Sequence, residues 1–355
     1  MRVLHIVGAR PNFMKLAPVH RALQQRPNCE QLVVHTGQHY DFNMSDVFFQ
    51  ELGISAPDVN LGVGSASHAQ QTAQIMASFE PVLLEHRPDI VLVYGDVNST
   101  VATALVCAKL GIRVAHVEAG LRSFDRSMPE EINRLITDQL ADLLFTPSED
   151  GDANLAKEGV SPERVHLVGN VMIDTLVRML PNSDKLRPKD LPKRYVLMTM
   201  HRPSNVDDPE WLKCLLKTLG EISSDIEVLF PVHPRTRERI QKLNLNGTGK
   251  IHWMDPASYL LFLSLQKNAT VVVTDSGGIQ EETTFLGVPC LTMRENTERP
   301  ITVTMGTNRL VGRDFGKLRA ELRYVLDGKA KKGQVPPLWD GNAATRIADV
   351  LCNLN

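Results

Sequence analysis

The stretch ATVVVTDSGGIQEET, residues 269–283, changes from strand to helix within a few positions. Its first half is a run of apolar, mostly β-branched residues, which favours a buried β-strand. An Asp-Ser-Gly-Gly turn follows, and the next positions that share one face, Ile279, Thr283 and Leu286, have helical spacing. A strand that passes through a glycine turn into a helix is the repeating unit of an α/β protein.

The same alternation of strand and helix runs along the whole chain of 355 residues. Nearly continuous apolar runs, separated by helical segments, are typical of parallel sheets that are covered on both faces. In the first half, the runs that predict strands are 3–7, 32–35, 90–94, 114–117, 143–145 and 165–168. In the second half, they are 195–198, 226–230, 251–253, 271–273, 289–293 and 310–311.

A charged, proline-rich segment separates the two series of strands. Residues 179–194, MLPNSDKLRPKDLPKR, have no apolar period and predict a linker. A chain of this length usually forms two domains. We therefore expect an α/β protein with two doubly wound, Rossmann-like domains, residues 1–178 and 195–340, that face each other across a cleft. An amphipathic closing helix is expected within residues 341–355.

Composition excludes several classes of protein. The net charge of −2 indicates neither a nucleic acid nor an acidic membrane surface as partner. The five cysteines are scattered and contain no Cys-x-x-Cys pair, which argues against a disulfide framework and a zinc site. The chain shows no signal-peptide pattern and no apolar run near the ~20 residues of a membrane span. These observations predict a soluble, cytoplasmic protein.

In open α/β sheets, ligands bind beyond the carboxyl ends of the strands, and this chain concentrates unusual residues there. Arg10 and Lys15 follow the first predicted strand, and two cations beside a glycine turn match a phosphate; the alternative is a pair of solvated surface charges. Asp96 and Glu118 each end a buried strand, where a carboxylate is costly unless it is paired or functional. The candidate pairing partners are Arg122, Arg126 and Arg134.

Glu130 has a structural interpretation from its spacing. Ser127-x-x-Glu130 is a capping-box pattern, and Pro129 suits the first turn of a helix. The apolar positions of that helix also turn away from Glu130; they are Ile132, Leu135, Ile136 and Leu140. From the residues alone, the spacing favours a cap.

The turn quoted at the outset favours an anion site at the start of its helix. Its glycines would leave backbone N–H groups unobstructed at a helix N-terminus, which attracts phosphate; the residues concerned are Ser276, Gly277 and Gly278. Glu282 lies beside one helical face and could accept hydrogen bonds from the vicinal hydroxyls of a ribose. The alternative is a simple helix cap with a surface charge. His201 lies at a strand end, whereas His116, within a strand, is expected to be a satisfied core residue.

Together these turns resemble those of the non-hydrolysing UDP-N-acetylglucosamine 2-epimerases, bacterial enzymes with the glycosyltransferase-B fold. The matching segments lie in consistent order over about residues 1–315. They are GARPNFMKLAP, TGQH, GDVNST, HVEAGLRSFDRSMPEEINR, VGNVMIDTL, HRPSN, TDSGGIQEE and TERP.

The resemblance implies a UDP-sugar held between the domains, a homodimer, and no metal or redox cofactor. It implies that UDP is eliminated in the anti sense to give a 2-acetamidoglucal and is then re-added with C2 inverted, for surface polysaccharide precursors. The catalytic positions it implies are Asp96, Glu118, Glu130 and His201, which for Glu130 replaces the capping role. The substrate-binding positions it implies are Arg10, Lys15, Phe262, Ser276, Gly277, Gly278, Glu282 and Arg299.

Three departures from the family pattern leave two questions open, whether the regulatory substrate site is retained and which sugar is bound. Tyr40 and Asp41 replace residues near the regulatory substrate site of bacterial members, GDVNST replaces the frequent GDTTT, and Ala257 stands where glutamine is common. An epimerase for a modified sugar, such as a UDP-2,3-diacetamido uronic acid, is therefore an alternative. A glycosyltransferase, a hydrolysing epimerase and a sugar-nucleotide sensor are the others.

Overall fold

The structure of the chain, a computed structural model, describes residues 1–37, 46–232, 234–242 and 250–354. The strands in these ranges are β1 Arg2–Val7, β2 Glu30–His35, β3 Val59–Asn60, β4 Ile90–Tyr94, β5 Arg113–Val117, β6 Leu143–Thr146, β7 Val165–Leu167, β8 Tyr195–Thr199, β9 Glu227–Pro231, β10 Ile251–Met254, β11 Val271–Thr274, β12 Cys290–Thr292 and β13 Asn308–Leu310. The helices are α1 Arg10–Gln24, α2 Asp46–Leu52, α3 His68–His86, α4 Asn98–Leu110, α5 Pro129–Leu140, α6 Glu149–Lys157, α7 Val171–Ser183, α8 Pro203–Val206, α9 Pro209–Ile222, α10 Pro234–Lys242, α11 Tyr259–Lys267, α12 Gly277–Leu286, α13 Pro300–Thr304, α14 Phe315–Leu326 and α15 Ala343–Cys352.

The first sheet is parallel and has the order β3-β2-β1-β4-β5-β6-β7. Every strand predicted in the first half of the chain is found in it. The two-residue edge strand β3 is missed because it has no apolar run of its own. The strand order reverses between β1 and β4, and ligands bind at such a switch point in doubly wound sheets.

The second sheet repeats this design with the order β10-β9-β8-β11-β12-β13, again with parallel neighbours. The strands predicted in the second half are confirmed. Apolar side chains of β8, β9 and β11 pack against α9 and α14 in a large core, and a second core covers the other sheet face. The strand order reverses between β8 and β11, which defines a second switch point.

The chain forms two compact units. Unit 1 contains residues 1–175 together with the chain from Pro337 onward, and unit 2 contains Leu176–Pro336. The prediction that residues 179–194 form an irregular linker is therefore partly wrong, because helix α7 extends through the first of these residues to Ser183. Leu176 and Met179 stay buried on the helix, and this apolar burial outweighs Pro181 near the helix end.

The predicted closing helix is found as α15 and belongs to unit 1. It packs against α1. The Asp174 carboxylate of α7 accepts hydrogen bonds from the backbone N–H groups of Ala343 (3.1 Å) and Ala344 (2.7 Å) at the start of α15. A carboxylate from another helix thus satisfies the N-terminus of α15, where the helix dipole also favours negative charge.

In the described parts of the chain, no helix is both long and apolar enough to cross a lipid bilayer.

Candidate active site

Asn12 joins the two loops at the switch point of unit 1. Its Oδ1 atom accepts hydrogen bonds from the N–H groups of Gly8 (3.2 Å) and Ala9 (3.0 Å), directly after β1. Its Nδ2 atom donates to the carbonyl of Tyr94 at the end of β4, at 2.8 Å. Asn12 is buried, so these hydrogen bonds fix the relative position of the two loops beside which the predicted site residues lie.

Lys15 and Glu118 form a buried ion pair beside these loops. The Lys15 ammonium donates to Oε2 of Glu118, although the two residues are 103 positions apart in the chain. Lys15 is therefore not the solvated surface charge of the alternative interpretation. Glu118 has a φ of 75°, a left-handed conformation that is costly for a residue other than glycine and is concentrated at functional sites.

Asp96 is paired with Arg134 of α5. The Arg134 Nε and Nη2 atoms donate to Oδ2 of Asp96 at 2.9 and 2.6 Å. Of the three arginines that the sequence offered as partners for Asp96 and Glu118, only Arg134 has this role in the described residues. Arg122 pairs with Asp138 and Glu158 instead.

Glu130 does not form the predicted capping box. Helix α5 begins with Pro129, but its N-cap is Met128 and makes no side-chain capping bond. The Ser127 hydroxyl donates to Asp125 instead, at 2.6 Å. The partly exposed Glu130 carboxylate has no hydrogen-bond partner among the described residues, so it is available to a ligand.

The neighbouring Glu131, for which the sequence predicts no role, is the structural glutamate. One carboxylate oxygen accepts from the N–H and the hydroxyl of Ser123 (both 2.9 Å) and from Arg134 (2.6 Å). The other accepts from the N–H of Phe124 (2.9 Å). Adjacent glutamates give the same sequence signal, and only their positions around the helix distinguish them.

His116 is a satisfied core residue, as expected, and it supports the loop that carries Asp96. Its Nε2 atom lies 2.8 Å from the carbonyl of Gly95, and its Nδ1 atom lies 2.6 Å from Oδ1 of Asp138. Burial alone would raise the pKa of Asp138, but His116 and Arg122 outweigh this and lower it. A charged network thus lies directly behind the carboxylates of unit 1.

Asp275 is the centre of the switch point in unit 2. It is fully buried after β11 and accepts hydrogen bonds from the backbone N–H groups of His201 (3.2 Å) and Arg202 (3.0 Å) in the loop after β8. The His201 Nδ1 atom lies 2.8 Å from Oδ1 of Asp275. Burial would raise the pKa of Asp275, but His201 and the other hydrogen bonds lower it. No role is predicted for Asp275 from the sequence.

The start of α12 is open at Gly278 and lies close to Arg299 at Gly277. Ser276 is the N-cap residue, and its side chain makes no capping hydrogen bond within the described part of the chain. A methyl group added to Gly278 would meet no atom within 4 Å, whereas one added to Gly277 would lie 2.6 Å from Nη1 of Arg299. Gly277 therefore admits the guanidinium, and Gly278 leaves the helix N-terminus accessible.

Arg299 is held by two carboxylates. Its Nε atom is 2.9 Å from Oε1 of Glu281, and its Nη1 atom donates to Oε1 of Glu298 at 2.5 Å. All three side chains are buried. A bound diphosphate would therefore meet an arginine that is already fixed in place beside the start of α12.

Glu282 is buried and is not the surface charge of the alternative interpretation. The Tyr259 hydroxyl donates to its Oε1 atom at 2.8 Å. Burial raises the pKa of Glu282 to about 7, although hydrogen bonds to the carboxylate oppose the shift. Phe262 lies on α11, as Tyr259 does, and packs partly buried against the smaller core of unit 2.

Each unit therefore gathers its own set of the predicted residues. Unit 1 holds Lys15, Asp96, Glu118 and Glu130, with Arg10 partly exposed as the first residue of α1. Unit 2 holds His201, Phe262, Ser276, Gly277, Gly278, Glu282 and Arg299. Tyr40 and Asp41 lie outside the described residues. Groups of three or more His, Cys, Asp or Glu side chains placed to hold a metal ion do not occur in the described ranges.

Comparison with known proteins gives consistent matches over the full length. A family model described as UDP-N-acetylglucosamine 2-epimerase matches residues 21–352. The UDP-N-acetylglucosamine 2-epimerase of Methanocaldococcus jannaschii is 42% identical over 99% of both sequences. The UDP-2,3-diacetamido-2,3-dideoxy-D-glucuronate 2-epimerase of Pseudomonas aeruginosa is 40% identical over the whole of both.

Solved structures agree with these matches. The crystal structure of the Methanocaldococcus jannaschii enzyme in complex with UDP-GlcNAc and UDP superposes with a TM-score of 0.90 over 99% of both chains. A lipopolysaccharide outer core galactosyltransferase, only 16% identical, superposes with a TM-score of 0.58 over the whole of both chains and shares the fold alone. The predicted glycosyltransferase-B class is thereby confirmed.

Proposed function

The chain belongs to the UDP-N-acetylglucosamine 2-epimerase family, and on that premise we propose that it interconverts UDP-N-acetylglucosamine and UDP-N-acetylmannosamine without hydrolysis. One observation carries this proposal: two carboxylates, Asp96 and Glu118, stand at neighbouring strand ends, each beside a buried cation. Positioned carboxylates are the groups that remove a weakly acidic proton such as that on C2 of the sugar.

The reaction then proceeds by elimination and re-addition. A carboxylate of unit 1, from Asp96, Glu118 or Glu130, takes the C2 proton, and the electron pair of that bond forms the C1=C2 double bond. The C1–O bond breaks, and its electrons leave with UDP. Return of UDP to C1, with a proton delivered to the other face of C2, gives the inverted sugar.

Unit 2 supplies the groups that stabilise the departing UDP. Its diphosphate would be bound by Arg299, which Glu281 and Glu298 hold in place, and by the N-terminus of α12 at Ser276, Gly277 and Gly278. The Glu282 carboxylate would accept hydrogen bonds from the ribose hydroxyls, and Phe262 would contact the uracil. In unit 1, Arg10 and Lys15 are the substrate-binding positions that the family resemblance implies.

A second candidate substrate is a UDP-2,3-diacetamido uronic acid. The observation that favours it is the full-length match to the Pseudomonas aeruginosa relative, which is nearly as similar as the N-acetylglucosamine epimerases. The chemistry at C1 and C2 is the same for both sugars. The difference lies in the groups at C3 and C6.

We also propose that the protein is a homodimer, as its family resemblance implies. Unit 1 has three exposed apolar side chains, Phe124, Ile132 and Ile136. A dimer that covered them would remove apolar surface from water, and a monomer would leave that surface exposed. Light scattering during size-exclusion chromatography tests this point. A mass near 39.5 kDa would show a monomer and reject it.

Proton NMR of the purified protein with single UDP-sugars in deuterium oxide tests the activity. We expect UDP-N-acetylmannosamine to form from UDP-N-acetylglucosamine, with deuterium at C2 of both sugars. Free N-acetylmannosamine would indicate a hydrolysing enzyme, a requirement for an acceptor would indicate a transferase, and binding of UDP without any turnover would indicate a sensor. Turnover only with the diacetamido uronic acid would establish the second candidate.

A further inference from the structure

The two oxygens of the buried Asp275 carboxylate have different hydrogen-bond partners. Its Oδ2 atom accepts hydrogen bonds from the backbone N–H of Arg202 at 3.0 Å and from Nδ2 of Asn205 at 3.1 Å. Its Oδ1 atom lies 2.8 Å from Nδ1 of His201. The backbone N–H of His201 lies 3.2 Å from both oxygens. One oxygen thus holds the loop after β8, and the other holds the imidazole.

This contact determines which ring nitrogen of His201 carries a proton. An ionised carboxylate can only accept hydrogen bonds, so Nδ1 must carry the proton that it shares with Oδ1. The remaining nitrogen, Nε2, has no hydrogen-bond partner among the described residues, and the His201 side chain is 56% exposed. The ring therefore presents Nε2 to whatever approaches the loop.

We infer that Asp275 is a positioning residue for the epimerisation, which fixes the Nδ1–H form of His201 so that Nε2 serves the diphosphate of the UDP-sugar. The inference rests on the proposed function and adds to it a residue for which no role was predicted. In this form, Nε2 is the atom that can take up a proton and donate it to the oxygen released from C1. The contact with Asp275 also holds the ring in one orientation while the proton is transferred.

Replacement of Asp275 by asparagine makes a specific change. An amide has one oxygen and one NH₂ group, and the three donors around the Oδ2 position demand the oxygen there. The NH₂ group then faces Nδ1 of His201, which must become an acceptor. We therefore expect the neutral imidazole of His201 to change tautomer in Asp275→Asn. The ring proton should move from Nδ1 to Nε2, so that Nε2 no longer has a free lone pair.

The matched control is Asn205→Ala. It removes one hydrogen bond from Oδ2 of Asp275 and leaves the contact to His201 in place. If Asp275 only fastens the loop, both variants should lose stability and activity in a similar way. If Asp275 also sets the tautomer of His201, only Asp275→Asn should move the imidazole proton from Nδ1 to Nε2.

Nitrogen-15 NMR of protein labelled at histidine distinguishes the two forms, and the spectrum of His201→Gln identifies the signals. We expect Nδ1–H in the unmodified protein and in Asn205→Ala, and Nε2–H in Asp275→Asn. We also expect kcat of Asp275→Asn to fall about 10²–10⁴-fold, with UDP affinity retained and with a smaller loss of kcat in Asn205→Ala.

Either of two results would overturn the inference. One is an Nε2–H ring in the unmodified protein, which can be measured even if the variant fails to fold. The other is a loss of kcat in Asp275→Asn no larger than that in Asn205→Ala. The NMR measurement needs no turnover, so absence of epimerase activity on every UDP-sugar would reject the proposed function separately from the tautomer.

Discussion

Gly95 shows how a missing side chain shapes the carboxylate site of unit 1. Its φ is 65°, and a methyl group added there would lie 2.7 Å from Nζ of Lys15 and 3.3 Å from Oε2 of Glu118. The ion pair therefore occupies the space that any other residue would need. Glycine is required at this turn for two reasons, the backbone conformation and the close approach of the pair.

We expect Gly95→Ala to abolish most epimerase activity, because the added methyl group displaces Lys15 and Glu118. Gly111→Ala is the matched control, since Gly111 has a φ of 68° but open space around an added methyl group. Both variants should lose roughly 1–2 kcal/mol of stability from the left-handed backbone. Urea unfolding and turnover of each variant provide the measurement; equal turnover in the two would contradict the steric argument.

Glu282 makes stability depend on pH. Its pKa is raised by burial from the usual 4.5 to about 7, so between these values the folded protein keeps a proton that the unfolded chain has lost. Its contribution to the free energy of unfolding therefore falls as pH rises through this window, by up to about 3 kcal/mol. Glu282→Gln should remove this contribution. Urea unfolding of both proteins at pH 5 and pH 8 tests the difference, and parallel pH profiles would disprove it.

Helix α5 presents a polar face to the interior of unit 1. Its buried residues are Glu131, Asn133, Arg134, Thr137 and Asp138, whereas Ile132 and Ile136 are 46% and 37% exposed. The apolar period in the sequence predicts the opposite face as the buried one. The sequence misleads here because a helix that lines a site buries charges that are paired with other elements.

The adjacent glutamates of α5 should therefore respond differently to the same substitution. Both oxygens of Glu131 accept from donors, and an amide NH₂ group would face one of those donors. We expect Glu131→Gln to lose about 3 kcal/mol or more of stability. Glu130→Gln should fold normally and lose about 10²–10⁴-fold in deuterium incorporation at C2. Melting temperature and NMR exchange rates separate them; normal exchange in Glu130→Gln would remove Glu130 from the catalytic groups.

At the scale of the whole molecule, the fold could be predicted from the sequence more completely than the site. Apolar runs mark strands wherever a strand is buried on both faces, as in β4 and β11. The ion pair of Lys15 with Glu118 could not be predicted, because nothing local connects residues 103 positions apart. The contacts of Asp275 with His201, Arg202 and Asn205 could not be predicted for the same reason, because these residues lie 70 or more positions away.

The boundary between the units is also set by distant contacts. Trp339 follows unit 2 in the sequence, yet it belongs to unit 1, where its Nε1 atom donates to the carbonyl of Pro147 at 2.8 Å. The other two tryptophans, Trp211 and Trp253, pack in the large core of unit 2. Tryptophan fluorescence can therefore report on each unit by itself.

We expect Asp174→Ala to lower the unfolding midpoint reported by Trp339 more than that reported by Trp211 and Trp253. The substitution removes the carboxylate that caps α15 in unit 1, at a cost of about 1–2 kcal/mol. Asp314→Ala is the matched control, since Asp314 caps α14 in unit 2 by accepting from the N–H of Lys317 at 3.0 Å. It should shift the signal of Trp211 and Trp253 instead.

The measurement uses two backgrounds, one with Trp211→Phe and Trp253→Phe and one with Trp339→Phe, each unfolded in urea. UDP gives an independent check, because a ligand stabilises only the unit that binds it while the units unfold separately. If UDP binds mainly to unit 2 as proposed, it should raise the midpoint of Trp211 and Trp253 more than that of Trp339. Equal shifts of all three signals, for both aspartate variants and for UDP, would show that the two units unfold as one.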